Sequence, residues 1–195
     1  MGFLSVLSFA HKLIMDRVHP GDIAIDATAG TGADTLLLAQ RAGRSGQVYA
    51  LDIQDEALRL TQERLDRASL TNLAQVSLLL GSHADMKTLI PEHEHGQVSA
   101  VMFNLGYLPA DIADKRVITE TDSTLIALET AIGLLRPGGV VTIVLYPGHA
   151  GGEREAAAVE SWTASLPSSS VQTVMYRGLQ RSEAPYLIAI ERKKT

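Results

Sequence analysis

Apolar positions along the chain follow two alternating rhythms. Nearly continuous apolar and β-branched runs recur at "DIAIDA" (22–27), "QVYALDI" (47–53), "AQVSLLLG" (74–81), "VSAVMFNL" (98–105) and "GVVTIVLY" (139–146). Runs of this kind suit strands buried on both faces of a parallel sheet. Between them the apolar residues take helical spacing. "ADTLLLAQRAG" follows the first run, with Gly43 placed to end it. "DEALRLTQERLDRASL" follows the second. "DSTLIALETAIGLLRPGG" precedes the fifth, with Asp122 or Ser123 as its starting cap and Pro137-Gly138-Gly139 as its stop. Beyond it, "GGEREAAAVESWTASL" reads as a helix. "SVQTVMYRG" and "APYLIAIERK" read as two strands whose short connection demands an antiparallel pairing. At the other end, Leu4, Leu7, Leu13, Ile14 and Val18 share a helical face, so residues 1–20 are expected to form a helix packed on the rest. The pattern predicts one α/β domain over 1–195. Its sheet has seven strands, mostly parallel, with an antiparallel last strand and helices on both faces.

Composition narrows the function classes. The 195 residues are 46% hydrophobic and 20% charged, an ordinary globular balance with enough chain for a substantial core. There is no cysteine, which removes disulfides, thiolate metal sites and a cysteine nucleophile. The apolar N-terminus lacks the early basic residues and cleavage site of a signal peptide, and no stretch reaches the ~18 apolar residues of a membrane span. A cytoplasmic protein without a membrane partner is expected. The net charge of −5 argues against wrapping long nucleic acids, where phosphate neutralisation dominates, but leaves room for a local basic patch. Lys115-Arg116, Arg177 with Arg181, and Arg192-Lys193-Lys194 are either such patches or solvated surface.

The chemistry gathers where strands end. The first strand runs into Asp26-Ala27-Thr28-Ala29-Gly30-Thr31-Gly32, a turn that brings backbone close to a ligand. A phosphate-binding loop needs Lys-Ser/Thr after the last glycine, and Ala33-Asp34-Thr35 stands there instead. A nicotinamide dinucleotide site wants a third glycine where Thr35 stands, and Asp34 at the helix start would repel a pyrophosphate. S-adenosylmethionine (SAM) has no phosphate and carries an ammonium that suits Asp26 and Asp34. A plain tight turn also fits the two glycines.

Other strand tips add to this. Asp52 ends the second strand, where a carboxylate accepts ribose hydroxyls or caps the next helix, and Gln54 lies beside it. Asp55 is the better cap. Ser82, His83 and Asp85 follow the third strand, on the side expected for an adenine, although a buried, satisfied histidine also explains His83. Asn104 ends the fourth strand and is followed by Gly106, Tyr107 and Pro109. That loop resembles the Asn-Pro-Pro-Tyr loop of amino-group methyltransferases, in which the Asn carboxamide oxygen accepts from a target amine and an aromatic ring stacks on the target base. His93 and His95 are two apart in a Pro/Gly-bounded loop, not at helical zinc spacing, so no metal is expected.

"DATAGTGADT", "DIQ", "NLGYLP" and "YPGHAGGERE", with "LLRPGG" before the fifth strand, resemble the MnmM (YtqB-like) family, first catalogued as rRNA methylases. The resemblance covers nearly the whole chain. It implies a Rossmann-like class I SAM-dependent methyltransferase fold acting on the aminomethyl group of a tRNA wobble uridine, in its 5-aminomethyl-uridine or 2-thio form. The cofactor would be SAM and the partner a tRNA anticodon loop; a homodimer is compatible with everything above. The resemblance implies cofactor contacts from Asp26, Gly30, Thr31, Gly32, Asp34, Thr35, Asp52, Gln54, Ser82, His83 and Asn104. Asn104 would orient the amine, with Asp85 or His149 as proton acceptor and Tyr107 and Tyr146 stacking on the base. Tyr146, His149 and Arg154 would meet the base and a phosphate, and Arg177 and Arg181 the anticodon stem. Two departures stand out: Thr31 and Ala33 replace the family's Asn and His, and "YLPADIADK" lacks the family's glycines. Competing readings are methylation of rRNA or of a small amine, a non-catalytic nucleotide-binding module, and a dehydrogenase.

Overall fold

In the computed structural model, which describes residues 2–68, 71–106, 121–148 and 151–194, each apolar run becomes a strand. In chain order these are β1 (Ile23–Asp26), β2 (Gln47–Asp52), β3 (Gln75–Leu80), β4 (Val98–Leu105), β5 (Leu135–Leu145), β6 (Val171–Tyr176) and β7 (Tyr186–Arg192). The helices are α1 (Val6–Met15), α2 (Ala33–Ala42), α3 (Asp55–Arg67), α4 (Met86–Leu89), α5 (Thr121–Leu134) and α6 (Gly152–Ser165). The strands lie in the order β3-β2-β1-β4-β5-β7-β6. All pairings from β3 to β5 are parallel, while β7 runs antiparallel to both β5 and β6. The predicted sheet is therefore present, and the closing hairpin sits with its second strand inside. Strand order reverses between β1 and β4, which opens a crevice beyond their carboxyl ends.

Side-chain size differs between the two faces. One face carries Ile25, Leu51, Val101, Phe103, Leu105 and Ile143 under α4, α5 and α6. The other carries Ala24, Val48, Ala100, Met102 and Ala189 under α1 and α2. Small residues on the second face let α2 pack close through Leu38, Ala39 and Ala42, all fully buried. α1 buries Ala10 and Ile14 against β5 and β7, and Ser5 caps it by accepting the Ser8 N–H at 3.1 Å. The Tyr176 hydroxyl on β6 donates to the Leu4 carbonyl at 2.8 Å, tying the start of the chain to the far edge of the sheet. No described helix is long and apolar enough to cross a membrane.

Several local expectations give way. β3 is an outer strand and only partly buried, so its apolar run reflects edge packing and not burial on both faces. α3 begins at Asp55 with Gln54 in the capping position. Asp122 and Ser123 lie inside the first turn of α5 instead of before it. Pro137-Gly138-Gly139 does not stop α5, which ends at Leu134. Residues 136–139 instead form a bulge in β5, where pairing jumps from Val98↔Leu135 to Ala100↔Val140. A three-residue 3₁₀ turn (His83–Asp85) and α4 occupy a stretch with no strong apolar period. Gly43 does end α2, with its N–H on the Ala39 carbonyl.

Candidate active site

β1 delivers Asp26 fully buried beneath the turn that follows it. Its carboxylate accepts the Thr28 N–H at 3.2 Å and the Thr35 hydroxyl, from the first turn of α2, at 2.6 Å. The turn is shaped by Gly30 (φ 53°) and Gly32 (φ 77°), both in the left-handed region. At Gly32 a Cβ would also stand 2.7 Å from the Thr61 Cα of α3. Any side chain there would push α3 away. Thr31 turns its carbonyl to the Arg64 guanidinium at 2.6 Å.

β2 delivers Asp52, whose two oxygens accept the Gly30 N–H and the Gln54 N–H, each at 3.0 Å. One carboxylate thus locks the glycine turn to the start of α3. Both oxygens keep lone pairs for a further donor. Burial raises the Asp52 pKa, opposed by the backbone N–H groups that it accepts.

β4 delivers Asn104. Its backbone N–H donates to the Thr28 hydroxyl at 2.7 Å, and its side-chain NH₂ donates to Asp34 of α2. The other Asp34 oxygen meets His11 Nε2 of α1 at 2.7 Å. On the far side, the Tyr146 hydroxyl lies 3.4 Å from the Asn104 oxygen, and the Tyr146 ring covers Gly106. Four residues, from α1, α2, β4 and the loop after β5, therefore form one chain: His11, Asp34, Asn104, Tyr146.

Buried Asp26 feels both of the other carboxylates. Burial, then the charge of Asp34 and, least, that of Asp52, push the Asp26 pKa up to about 7, against the pull of the Thr35 hydroxyl and the Thr28 N–H. The hydrogen bond to Asp34 raises the His11 pKa, with burial opposing. Burial and the Asp34 charge raise that of Tyr146. Such a pocket repels phosphate and welcomes a cation.

The remaining expected site residues divide. Ser82 caps the 3₁₀ turn, its hydroxyl accepting the Ala84 N–H at 3.1 Å. His83 is buried and edge-on to Phe103, with Nε2 3.5 Å from the Ser123 hydroxyl; burial lowers its pKa. Exposed Asp85 closes the same 3₁₀ turn. Arg154 and Arg181 are exposed. Arg177 is engaged within the fold: it lies 4.7 Å over the Tyr186 ring, donates to the Ser182 carbonyl at 2.8 Å and stands 3.6 Å from Glu160. Tyr107, Pro109, Lys115, Arg116 and His149 lie outside the described residues. Among the described residues no group of three or more His, Asp or Glu side chains is arranged to hold a metal ion. His95 instead contacts the Ile90 carbonyl at 3.0 Å.

Two residues absent from the sequence-based set belong to this arrangement. Thr28 anchors β4 to the glycine turn, and its signal was its place inside the turn itself. His11 reaches Asp34 from 23 positions away. Its only local sign is a polar ring next to Ala10 at the flank of an apolar helical face.

Comparison with known proteins agrees with this geometry. A family model described as "Putative rRNA methylase" matches residues 48–191. A "tRNA (mnm(5)s(2)U34)-methyltransferase, chloroplastic" from Arabidopsis thaliana is 38% identical over 185 residues, covering 92% of this chain and 66% of the plant protein. The chain thus spans just under two thirds of that relative. A "putative rRNA-methylase" from Clostridium thermocellum superposes with a TM-score of 0.90 at 33% identity, over 98% of this chain and all of that one. A "putative methyltransferase" from Streptococcus mutans, solved in complex with SAH, gives a TM-score of 0.83 at 30% identity, over 98% and 99% of the two chains. The family model covers most of the sequence, and the Clostridium structure matches it end to end: this chain belongs to the "Putative rRNA methylase" family of class I, Rossmann-like methyltransferases.

Proposed function

We propose that the chain is a SAM-dependent N-methyltransferase that methylates the amine of 5-aminomethyl-(2-thio)uridine at the tRNA wobble position. The observation that carries this reading is the seat of Asn104. It stands at the β4 tip, held by Thr28 and Asp34, beside a turn lined with carboxylates. The plant relative's described activity supplies the substrate. SAM fits the turn on the chemistry of its donors: Asp52 has lone pairs for ribose hydroxyls, and Asp26 and Asp34 form an electron-rich pocket for an ammonium. When bound, SAM supplies an electrophilic methyl group on a sulfonium.

The chain's own residues do the rest. The glycine turn offers backbone without side chains, so a ligand lies against it closely. Asn104 orients the target nitrogen by accepting one of its hydrogens, and positioning of this kind supplies a large part of catalysis. An aliphatic amine has a pKa of about 10, so the site must take up the free amine. Tyr146, and by its place in the sequence Tyr107, stack on the base. His149 and Asp85 are the candidate proton acceptors. Arg154 and Arg181 are free to meet the tRNA backbone. A cytoplasmic location belongs to this proposal; the similar plant protein is described as chloroplastic.

The test is purified protein, SAM and tRNA carrying the aminomethyl precursor, with nucleosides read by mass. A gain of one methyl on that amine supports the reading. Methylation only of an rRNA fragment, the outcome that the family description favours, or only of a free small amine, rejects it.

A further inference from the structure

We infer that His11 is a positioning residue for methyl transfer: by holding Asp34 in place, it fixes which way the Asn104 carboxamide faces. The inference rests on the methyltransferase reading above and goes beyond it in adding α1 to the working site. The Asn104 NH₂ donates to an Asp34 oxygen, so that is the side of the carboxamide that faces α2. The carboxamide is planar, so its oxygen then faces the other way, toward the Tyr146 hydroxyl at 3.4 Å. That contact is long and leaves the oxygen able to accept from an incoming amine. Were the carboxamide to flip, its NH₂ would face the amine and offer a donor where an acceptor is needed.

The orientation therefore depends on Asp34 keeping one oxygen on Asn104. Asp34 is nearly buried, at 7% exposure, and needs a partner for its second oxygen. His11 Nε2 fills that place at 2.7 Å. The ring is about one third exposed, with Asp34 on α2 before it and Asn104 and Tyr146 beyond. The neighbouring Lys12 turns away to Asp16 at 3.0 Å. The hydrogen bond to Asp34 raises the pKa of the ring, which strengthens its role as donor near neutral pH. α1 is the rigid support: Ala10 and Ile14, beside His11, are fully buried against the sheet.

The experiment compares wild type, His11→Ala and His11→Gln by three readouts. These are the Asn104 side-chain NH₂ resonances of the ¹⁵N-labelled protein, SAM affinity by calorimetry, and kcat with the aminomethyl tRNA. The Asn104 resonances are assigned from their absence in Asn104→Ala. His11→Ala should shift and broaden the Asn104 pair and lower kcat about 10- to 100-fold, the scale of a displaced catalytic group. SAM affinity should fall less than kcat, since His11 itself is no cofactor contact and Asp34 keeps its place in the pocket lining. His11→Gln, which keeps an N–H for Asp34, should restore most of the resonance position and most of kcat. Melting curves show whether His11→Ala undocks α1; if it does, His11→Gln and the wild-type resonance decide. Unchanged Asn104 resonances in His11→Ala would overturn the inference, as would a kcat in His11→Gln no better than in His11→Ala. A wild-type protein inactive on the tRNA would sink the proposed function, and the Asn104 resonances would still judge the role of His11.

Discussion

The two sides of the crevice are built by different means. On the side of β1 and β2, backbone does most of the work. Asp26 accepts from its own turn, Asp52 clamps two backbone N–H groups, and Gly32 lets α3 approach to contact. On the side of β4 and β5, side chains do it. Asn104 is held by Thr28 and Asp34, and Asp34 by His11, across sequence separations of 76, 70 and 23 residues. The first side is a cradle preformed by contacts to its own backbone. The second is an alignment that depends on each member of the chain. A cofactor that is the same at every turnover suits a cradle, and an acceptor atom that must meet it in line suits an alignment.

Mutations should separate the two sides. The largest effect is expected at Asn104. Asn104→Ala should lower kcat by about 10²–10³, the usual cost of deleting one preorganised polar group at the reacting centre, and leave SAM affinity nearly unchanged. Steady-state kinetics beside calorimetry checks it; normal turnover with lost SAM binding would assign Asn104 to the cradle. Gly32→Ala should do the opposite. Its Cβ meets Thr61 at 2.7 Å and its φ is 77°, so stability should fall by about 2–4 kcal/mol and SAM binding with it. A urea titration and a thermal melt measure the loss.

The third test uses pH. Asp26, raised to about 7 in the fold, lies above its ordinary value of 3.8, so between those values the folded chain holds a proton that the unfolded chain has released. Stability should therefore fall as pH rises from about 4 to about 7, by something on the order of 1–3 kcal/mol, and level off above. Asp26→Asn should flatten that slope in urea melts taken across the range. His11 acts in the same direction at higher pH. Its pKa is raised above 6.5, so its stabilisation is full below that value and is lost as pH climbs through the folded pKa. SAM's ammonium beside Asp26 should favour the carboxylate, so binding should release a proton near neutrality, visible as buffer-dependent heats.

The smallest effects belong to the outer arginines. Arg181→Ala should reduce the salt dependence of tRNA binding by roughly one phosphate contact. Arg177→Ala should leave that slope alone and instead lower the melting temperature, because Arg177 is occupied by Tyr186, Glu160 and Ser182.

The same division explains what could be read from the chain before its fold was known. The strands, their direction and the cradle were legible, because they rest on apolar runs, on glycines and on acids a few residues from strand ends. Asp26, Asp52 and Asn104 each sit at the tip of the strand that was expected to carry them. The alignment was not legible. His11 belongs to a helix whose visible pattern speaks only of packing, and its meaning comes from Asp34 on another element. Arg177 looked like a free cation because its partners on α6 and β7 are brought to it by the hairpin. The Pro-Gly-Gly segment looked like a stop because a bulge and a loop share the same residues. Local chemistry survives reading in one dimension, and pairings that exist only after folding do not.

β7 follows β6 along the chain but lies inside it in the sheet, between β5 and β6. Until residues 186–192 are synthesised, β5 presents an open apolar edge and β6 has no neighbour at all. The growing chain must therefore carry an unfinished sheet until this strand has formed. Ile188 and Ile190, which help seal the larger core, arrive only with this strand. A ribosome stalled before that point would hold an adhesive intermediate instead of a smaller folded protein. Chaperone access before β7 docks should then weigh on the yield of folded protein in cells.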